Sequence, residues 1–129
     1  MTLPTLYIIM RRDIQDMNPG KAMAQSAHAQ ADFEHAAVFS PGNLSNEYKN
    51  WCEDRAFGRT LVVYATLNEI REIVDRSYCA GMVTDPTYPW RNYYGELCVS
   101  EEITCGWVFS TNGCSSENIE KMSKLPLVE

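Results

Sequence analysis

Residues 6–37 constrain the fold most, because their pattern changes from strand to helix across a short polar turn. The apolar run 6–10 predicts a buried strand, and the polar residues 11–17 predict a turn. Asn18 is a favourable N-cap, and Pro19 suits the first helical position, where no N–H donor is needed. A strand that leads directly into a helix predicts an α/β fold.

Lys21 is the unusual residue of the helix that follows. A cation in the first turn opposes the helix dipole, at a cost of some tenths of a kcal/mol. Helical spacing places Gln25 and His28 on the same face as Lys21. Two interpretations are open. Either the helix packs on a sheet with Lys21 solvated and His28 hydrogen-bonded, or exposed N–H groups and the ammonium form a site for an anion or oxyanion.

This segment resembles the opening motif of the type II peptidyl-tRNA hydrolases, the archaeal and eukaryotic type. The resemblance covers about the first quarter of the chain closely, and the remainder agrees in element order more than in residues. It implies hydrolysis of the ester that joins a peptide to the 3′-terminal ribose of tRNA. With one extra residue before Met17, the matching pattern is Arg11-x-Asp13-Ile14, then Met17-x-x-Gly20-Lys21-x-x-Ala24-Gln25-x-x-His28-Ala29.

Residues 85–95 form a second unusual stretch, with two prolines, several aromatic residues and an arginine. They follow a short predicted strand, 82–84, and we interpret them as a loop. Sites in open α/β sheets form at the carboxyl ends of strands, so Asp85 is expected beside the start of the first helix if the first and third strands end at one edge. The alternative is a local turn whose aromatic residues cover the sheet edge.

The resemblance also bears on this stretch. In the family, the corresponding strand ends in an aspartate, which Asp85 matches. A threonine is expected four positions later, where this chain has Pro89, and Thr87 is displaced by two positions. A further threonine at the start of the last strand corresponds to Thr104. This chain therefore departs from the family in its substrate loop.

The sequence has no GxSxG elbow and no cysteine in a helix-start context that would activate it, so we expect water to be the nucleophile, and no metal or organic cofactor is implied. Lys21 and the first-turn amides would stabilise the oxyanion, and Asp85 would orient or deprotonate the water or hold Lys21. Trp90 and Tyr88 would stack on terminal bases, and the arginines would meet phosphates. The predicted catalytic residues are Lys21, Asp85, Thr87 and Thr104, and the predicted substrate-binding residues are Arg11, Arg12, Gln25, His28, Trp90 and Arg91.

Composition narrows the alternatives. The length of 129 residues predicts one domain, 1–129. The net charge of −6 disfavours broad nucleic-acid binding and leaves either a local basic patch or a solvated rim. A non-catalytic module that binds RNA ends or a protein therefore stays an alternative. Five cysteines without a CxxC pair predict reduced thiols rather than a zinc site.

No apolar run is long enough for a membrane span, and no secretory signal is visible, so we expect a cytoplasmic protein without a membrane partner. Peptidyl-tRNA is the expected partner, and both monomer and homodimer remain open. The expected architecture is a three-layer α/β/α sandwich with a mixed sheet of four to five strands. The later elements are predicted as a helix at 46–55 capped by Ser45, a strand at 60–65, a helix at 67–80 with a Thr66/Glu69 capping box and Gly81 at its end, strands at 82–84, 96–99 and 102–110, and a helix capped by Ser115 or Ser116 that runs to 124.

Overall fold

The computed structural model describes residues 4–39, 43–53, 58–110 and 116–127. Ser115, one of the two residues predicted to cap the last helix, and Cys114 lie outside these residues. The elements are β1 (Thr5–Arg11), α1 (Pro19–Val38), α2 (Asn43–Glu53), β2 (Thr60–Ala65), α3 (Leu67–Asp75), β3 (Ala80–Arg91), β4 (Leu97–Ser110) and α4 (Ser116–Ser123).

The strands form one four-stranded mixed sheet in the order β2-β1-β4-β3. β1 is parallel to β2 and antiparallel to β4, which is antiparallel to β3. β1 and β3 therefore run in the same direction, so both point their carboxyl ends toward the same end of the sheet. This arrangement confirms the predicted mixed α/β fold.

Helices cover both faces of the sheet because β1 alternates between two apolar clusters. Leu6, Ile8 and Met10 pack with residues of α1 and α2 such as Phe33 and Trp51. Tyr7 and Ile9 pack on the opposite face with residues of α3 and α4 such as Ile70 and Met122. The result is three layers, and Trp51 is part of the core on the α1 and α2 side.

Local signals in the sequence set the starts of two helices. The Asn18 side chain accepts a hydrogen bond from the Lys21 backbone N–H at 3.0 Å, and Pro19 is the first residue of α1. Thr66 and Glu69 form the predicted capping box of α3. The prediction for α2 was wrong at its start, because the helix begins at Asn43 and Ser45 lies within it.

The predicted end of α3 was also wrong. The helix stops at Asp75. Ser77 then donates two hydrogen bonds to carbonyls of the last turn, from its backbone N–H to Val74 at 3.1 Å and from its hydroxyl to Ile73 at 2.7 Å. Gly81 is not a helix cap but a residue of β3. The Trp107 ring lies over it so closely that a Cβ on Gly81 would fall 2.7 to 2.9 Å from ring atoms.

The largest correction concerns residues 85–91, which are strand and not loop. β3 continues through Pro86 and Pro89 to Arg91 and forms a long hairpin with β4. β3 is an edge strand, so a proline on its outer side removes no ladder hydrogen bond. The register shifts between Asp85 and Tyr88, which accommodates the irregularity at this point.

The other edge of the sheet is partly covered, at Val63 and Tyr64 of β2. Leu127 bridges Val63 of β2, and the Tyr64 N–H donates to the Pro126 carbonyl at 2.8 Å. Within the described residues, no helix has the length and apolar character to cross a bilayer.

Candidate functional site

A hydrogen-bonded chain joins three predicted site residues between α1 and the β3–β4 hairpin. The Thr104 hydroxyl donates to Gln25 Oε1 at 2.7 Å, and Gln25 Nε2 donates to Asp85 Oδ2 at 2.7 Å. Gln25 and Thr104 are buried, whereas Asp85 is partly exposed. The buried pair therefore fixes the position of a carboxylate that still reaches solvent.

Asp85 also accepts hydrogen bonds from its own strand. Its Oδ1 receives the Thr87 backbone N–H at 2.8 Å and the Thr87 hydroxyl at 3.3 Å. Thr87 is therefore in contact with Asp85 although it is displaced from the position expected in the family. The bulge between Asp85 and Tyr88 brings this N–H back to the carboxylate.

The environment of Asp85 favours its ionised form. Burial raises the pKa, but the hydrogen bonds from Gln25 and Thr87 and the charge of His28 outweigh it, so the pKa lies below its ordinary value. Asp85 is thus a carboxylate at neutral pH. It suits holding and orienting a water or hydroxyl donor better than supplying a proton.

Lys21 lies one helical turn before Gln25, on the same side of the sheet as Asp85. Its Nζ is 5.4 Å from the centre of the Tyr88 ring, a cation–π distance. In the described part of the chain, Lys21 forms no ion pair with a carboxylate. Asp85 therefore does not hold Lys21 by direct pairing, and the partly exposed ammonium keeps its hydrogen-bond donors for another group.

Tyr88 has a different place from the one expected. It is fully buried, and its hydroxyl donates to the Gln15 carbonyl at 2.7 Å. Its ring contacts the Lys21 ammonium, so no ring face is exposed for stacking on a base. Burial, with the nearby charge of Asp16, raises the pKa of Tyr88 to about 12. The phenol is a structural donor.

Two of the predicted phosphate-binding arginines, Arg11 and Arg12, already lie near carboxylates of the protein. Arg11 contacts Asp13 at 3.0 Å and Glu102 at 3.5 Å and donates to the Ile103 carbonyl at 3.1 Å. Arg12 lies 3.5 Å from Glu69 and is exposed. Arg11 is thus held by the β4 backbone, and Arg12 keeps the freedom to meet an anion.

Trp90 and Arg91 lie further along β3. The Trp90 indole donates to Ser100 Oγ at 3.0 Å, and Trp90 lines a cleft of about 180 Å³ with Arg11 and Glu102. The Arg91 guanidinium donates to the Gly95 carbonyl at 2.9 Å within the hairpin turn. Neither side chain contacts the Gln25–Asp85 chain.

A larger groove of about 560 Å³ opens beside Asp85 between α1 and β3. His28 and Asp32 form its helical wall, and residues 82–87 form its strand wall. The sequence interpretation missed Asp32, which accepts a hydrogen bond from the Trp107 indole at 2.7 Å. A signal was present, because Lys21, Gln25, His28 and Asp32 form one polar stripe at helical spacing.

The buried thiol of Cys105, next to Thr104, is not an activated nucleophile. Burial raises the pKa of Cys105 to about 12, so its thiol next to Thr104 stays protonated and is a poor nucleophile. Within the described residues, no group of three or more metal-ligating side chains converges.

Comparison of the chain with protein-family models and with curated proteins finds no match.

Proposed function

We propose that this protein hydrolyses the ester between a peptide and the 3′ end of tRNA, with water as the nucleophile. The observation that carries the proposal is the pair of hydrogen bonds that links Thr104, Gln25 and Asp85. They hold an ionised carboxylate beside an open groove on the Lys21 side of the sheet. The resemblance of residues 11–29 to the type II peptidyl-tRNA hydrolases supplies the substrate class.

In this proposal the two charged groups act separately. The Lys21 ammonium, with the Gly20 N–H in the first turn of α1, stabilises the negative charge that develops on the ester carbonyl oxygen, because Pro19 has no N–H and the Lys21 N–H is bonded to Asn18. The Asp85 carboxylate accepts a hydrogen bond from the attacking water and orients it. The low pKa of Asp85 makes complete proton removal by this residue inefficient, so orientation is its main contribution.

The proposal is tested by release of peptide from N-acetyl-aminoacyl-tRNA by the purified chain. Loss of one preorganised donor in such chemistry lowers the rate by about 10²–10³. We expect a loss of this order for Lys21→Ala and a large loss for Asp85→Asn.

Matched controls are available on other surfaces. Lys49 on α2 and Asp75 on α3 are exposed, so Lys49→Ala and Asp75→Asn change charge by the same amount away from the site. They are expected to retain activity. Absence of turnover by folded protein would refute the proposal.

One observation favours the alternative of a non-catalytic binding module. Arg11 is engaged with two carboxylates, and this, together with the net charge of −6, weakens attraction to the phosphates of a tRNA. This alternative predicts saturable binding of an RNA end or a protein without hydrolysis, and binding unaffected by Asp85→Asn.

A further inference from the structure

We propose that the outer edge of β3 is the peptide subsite. The peptide part of the substrate would lie extended along residues 82–85 and add a parallel strand to the sheet. Its ester carbonyl would be at Asp85, and its N-terminal side would point toward Asp32. The identity of the ligand rests on the proposed function, whereas the binding surface follows from the geometry of the groove.

The groove has a pairing edge as one wall. It lies between α1 and β3, and its volume of about 560 Å³ is within the usual range for ligand sites. β4 lies on one side of β3, and no described strand lies on the other. An exposed strand edge binds extended peptides through main-chain hydrogen bonds, with side-chain identity secondary.

The phase of the β3–β4 ladder shows which residues face outward. The Phe109 N–H donates to the Cys79 carbonyl at 2.9 Å, and Ala80 lies opposite Val108. In an antiparallel pair, successive residues alternate between facing the partner and facing away. Ala80 and Met82 therefore direct their peptide groups away from β4, and Met82 does so within the groove. Pro86 has no N–H, so it ends the donor edge.

Two contacts mark the ends of the groove. At one end Gln25 donates to Asp85, and at the other Trp107, which pairs with Gly81, donates to Asp32. Residues 25 and 32 of α1 are separated by roughly 10 Å along the helix axis. An extended chain advances about 3.3 Å per residue, so the groove takes about three residues.

The charge of the groove fits the N-terminal end of such a peptide. Among the described residues, its lining contains the carboxylates of Asp32 and Asp85 and the imidazole of His28, and no lysine or arginine. A three-residue peptide with its ester at Asp85 brings its α-ammonium to Asp32. The groove therefore favours a free amino group at that length.

The first test uses tRNA carrying N-acetylated peptides of one, three and five alanines. One or two additional backbone hydrogen bonds correspond to about tenfold in kcat/KM. We expect this rise from one residue to three and no further rise at five. Hydrolysis at equal rates for all lengths would overturn the subsite and leave the hydrolase proposal intact.

The second test compares Met82→Pro with Ala80→Pro. Both substitutions remove an outward N–H of β3 without removing a bond to β4, but only Met82 lines the groove. We expect Met82→Pro to lower kcat/KM for the three-residue substrate about three- to tenfold and to leave the one-residue substrate within twofold. Ala80→Pro is expected to leave both within twofold. Equal losses for the two variants would overturn the proposal.

The third test measures binding without chemistry. The probe is a trialanyl 3′-amido analogue of the terminal adenosine, prepared with a free or an acetylated amino group. The backbone amides at 82–84 are expected to shift on titration in NMR spectra, and the free amine is expected to bind more tightly. Asp32→Asn, which keeps an acceptor for Trp107, should remove that preference. Shifts at these amides in a protein that hydrolyses nothing would support the groove and reject the hydrolase proposal, whereas shifts confined to other surfaces would reject the subsite.

Discussion

Gln25 is the residue whose removal disturbs the site most, because it serves a buried donor and a carboxylate at once. Gln25→Ala leaves the buried Thr104 hydroxyl without its acceptor and takes one donor from Asp85. An unsatisfied buried polar group costs about 1–3 kcal/mol, so the free energy of unfolding in urea should fall by at least that amount. Gln30→Ala, a partly exposed position of the same helix, is the control. Equal effects of the two substitutions would contradict this assignment.

The pKa of Asp85 leads to a prediction about stability and pH. Its folded pKa lies below its unfolded value of about 3.9, so Asp85 contributes stability above that value. The contribution is lost as the pH falls through the lower folded pKa. The difference in unfolding free energy between the native chain and Asp85→Asn should stay constant from pH 7 to about 5 and then decline. A difference that grows toward acid would have the wrong sign.

At the scale of elements, alanine substitutions at two glycines are expected to change the free energy of unfolding in opposite directions. A Cβ on Gly106 of β4 would lie 2.7 Å from Ile70 Cγ2 of α3, so Gly106→Ala overpacks the contact and should cost about 1–3 kcal/mol. A Cβ on Gly20 in the first turn of α1 meets only Asn18 Oδ1, at 3.4 Å. Gly20→Ala should be neutral or stabilise by up to about 1 kcal/mol. Thermal unfolding of both variants checks the contrast, and a stabilising Gly106→Ala would refute the packing argument.

The same elements show what the sequence can predict. Asn18 with Pro19, and Thr66 with Glu69, mark helix starts through contacts within a few residues, so their pattern alone was sufficient. The conformation of residues 85–91, in contrast, is not determined by neighbouring residues in the sequence. Two prolines predicted a loop, and only the position of β3 at the sheet edge makes them compatible with a strand.

Helical spacing indicates which residues of α1 share a face, but not which residues they contact. Lys21, Gln25 and His28 share a helix face, which spacing indicates. The bond from Gln25 to Asp85 spans 60 positions in the chain and depends on the order of the strands. The burial of Tyr88 is likewise not visible in the sequence, because none of its neighbouring residues indicates that it is fully buried against Lys21.

At the scale of the whole molecule, the acidic charge limits how RNA binds. With a net charge of −6 and Arg11 held by carboxylates, we expect two or three cations, Arg12, Lys21 and Arg91, to be available to phosphates. Neutralising a single-strand phosphate contributes about −0.7 to the slope of log K against log salt. Binding of a 3′-terminal tRNA fragment should therefore show a slope of roughly −1.4 to −2. A slope steeper than about −4 would indicate a larger basic surface than the one described here.

The segment that ends in Leu127 has a consequence for assembly. Through its contacts with Val63 and Tyr64, it covers part of the β2 edge, whereas no described strand covers the outer edge of β3. Pairing through β3 alone joins one further copy, and growth stops at a pair. Removal of residues 125–127 would bare a second margin, and copies could then add end over end into open-ended fibrils.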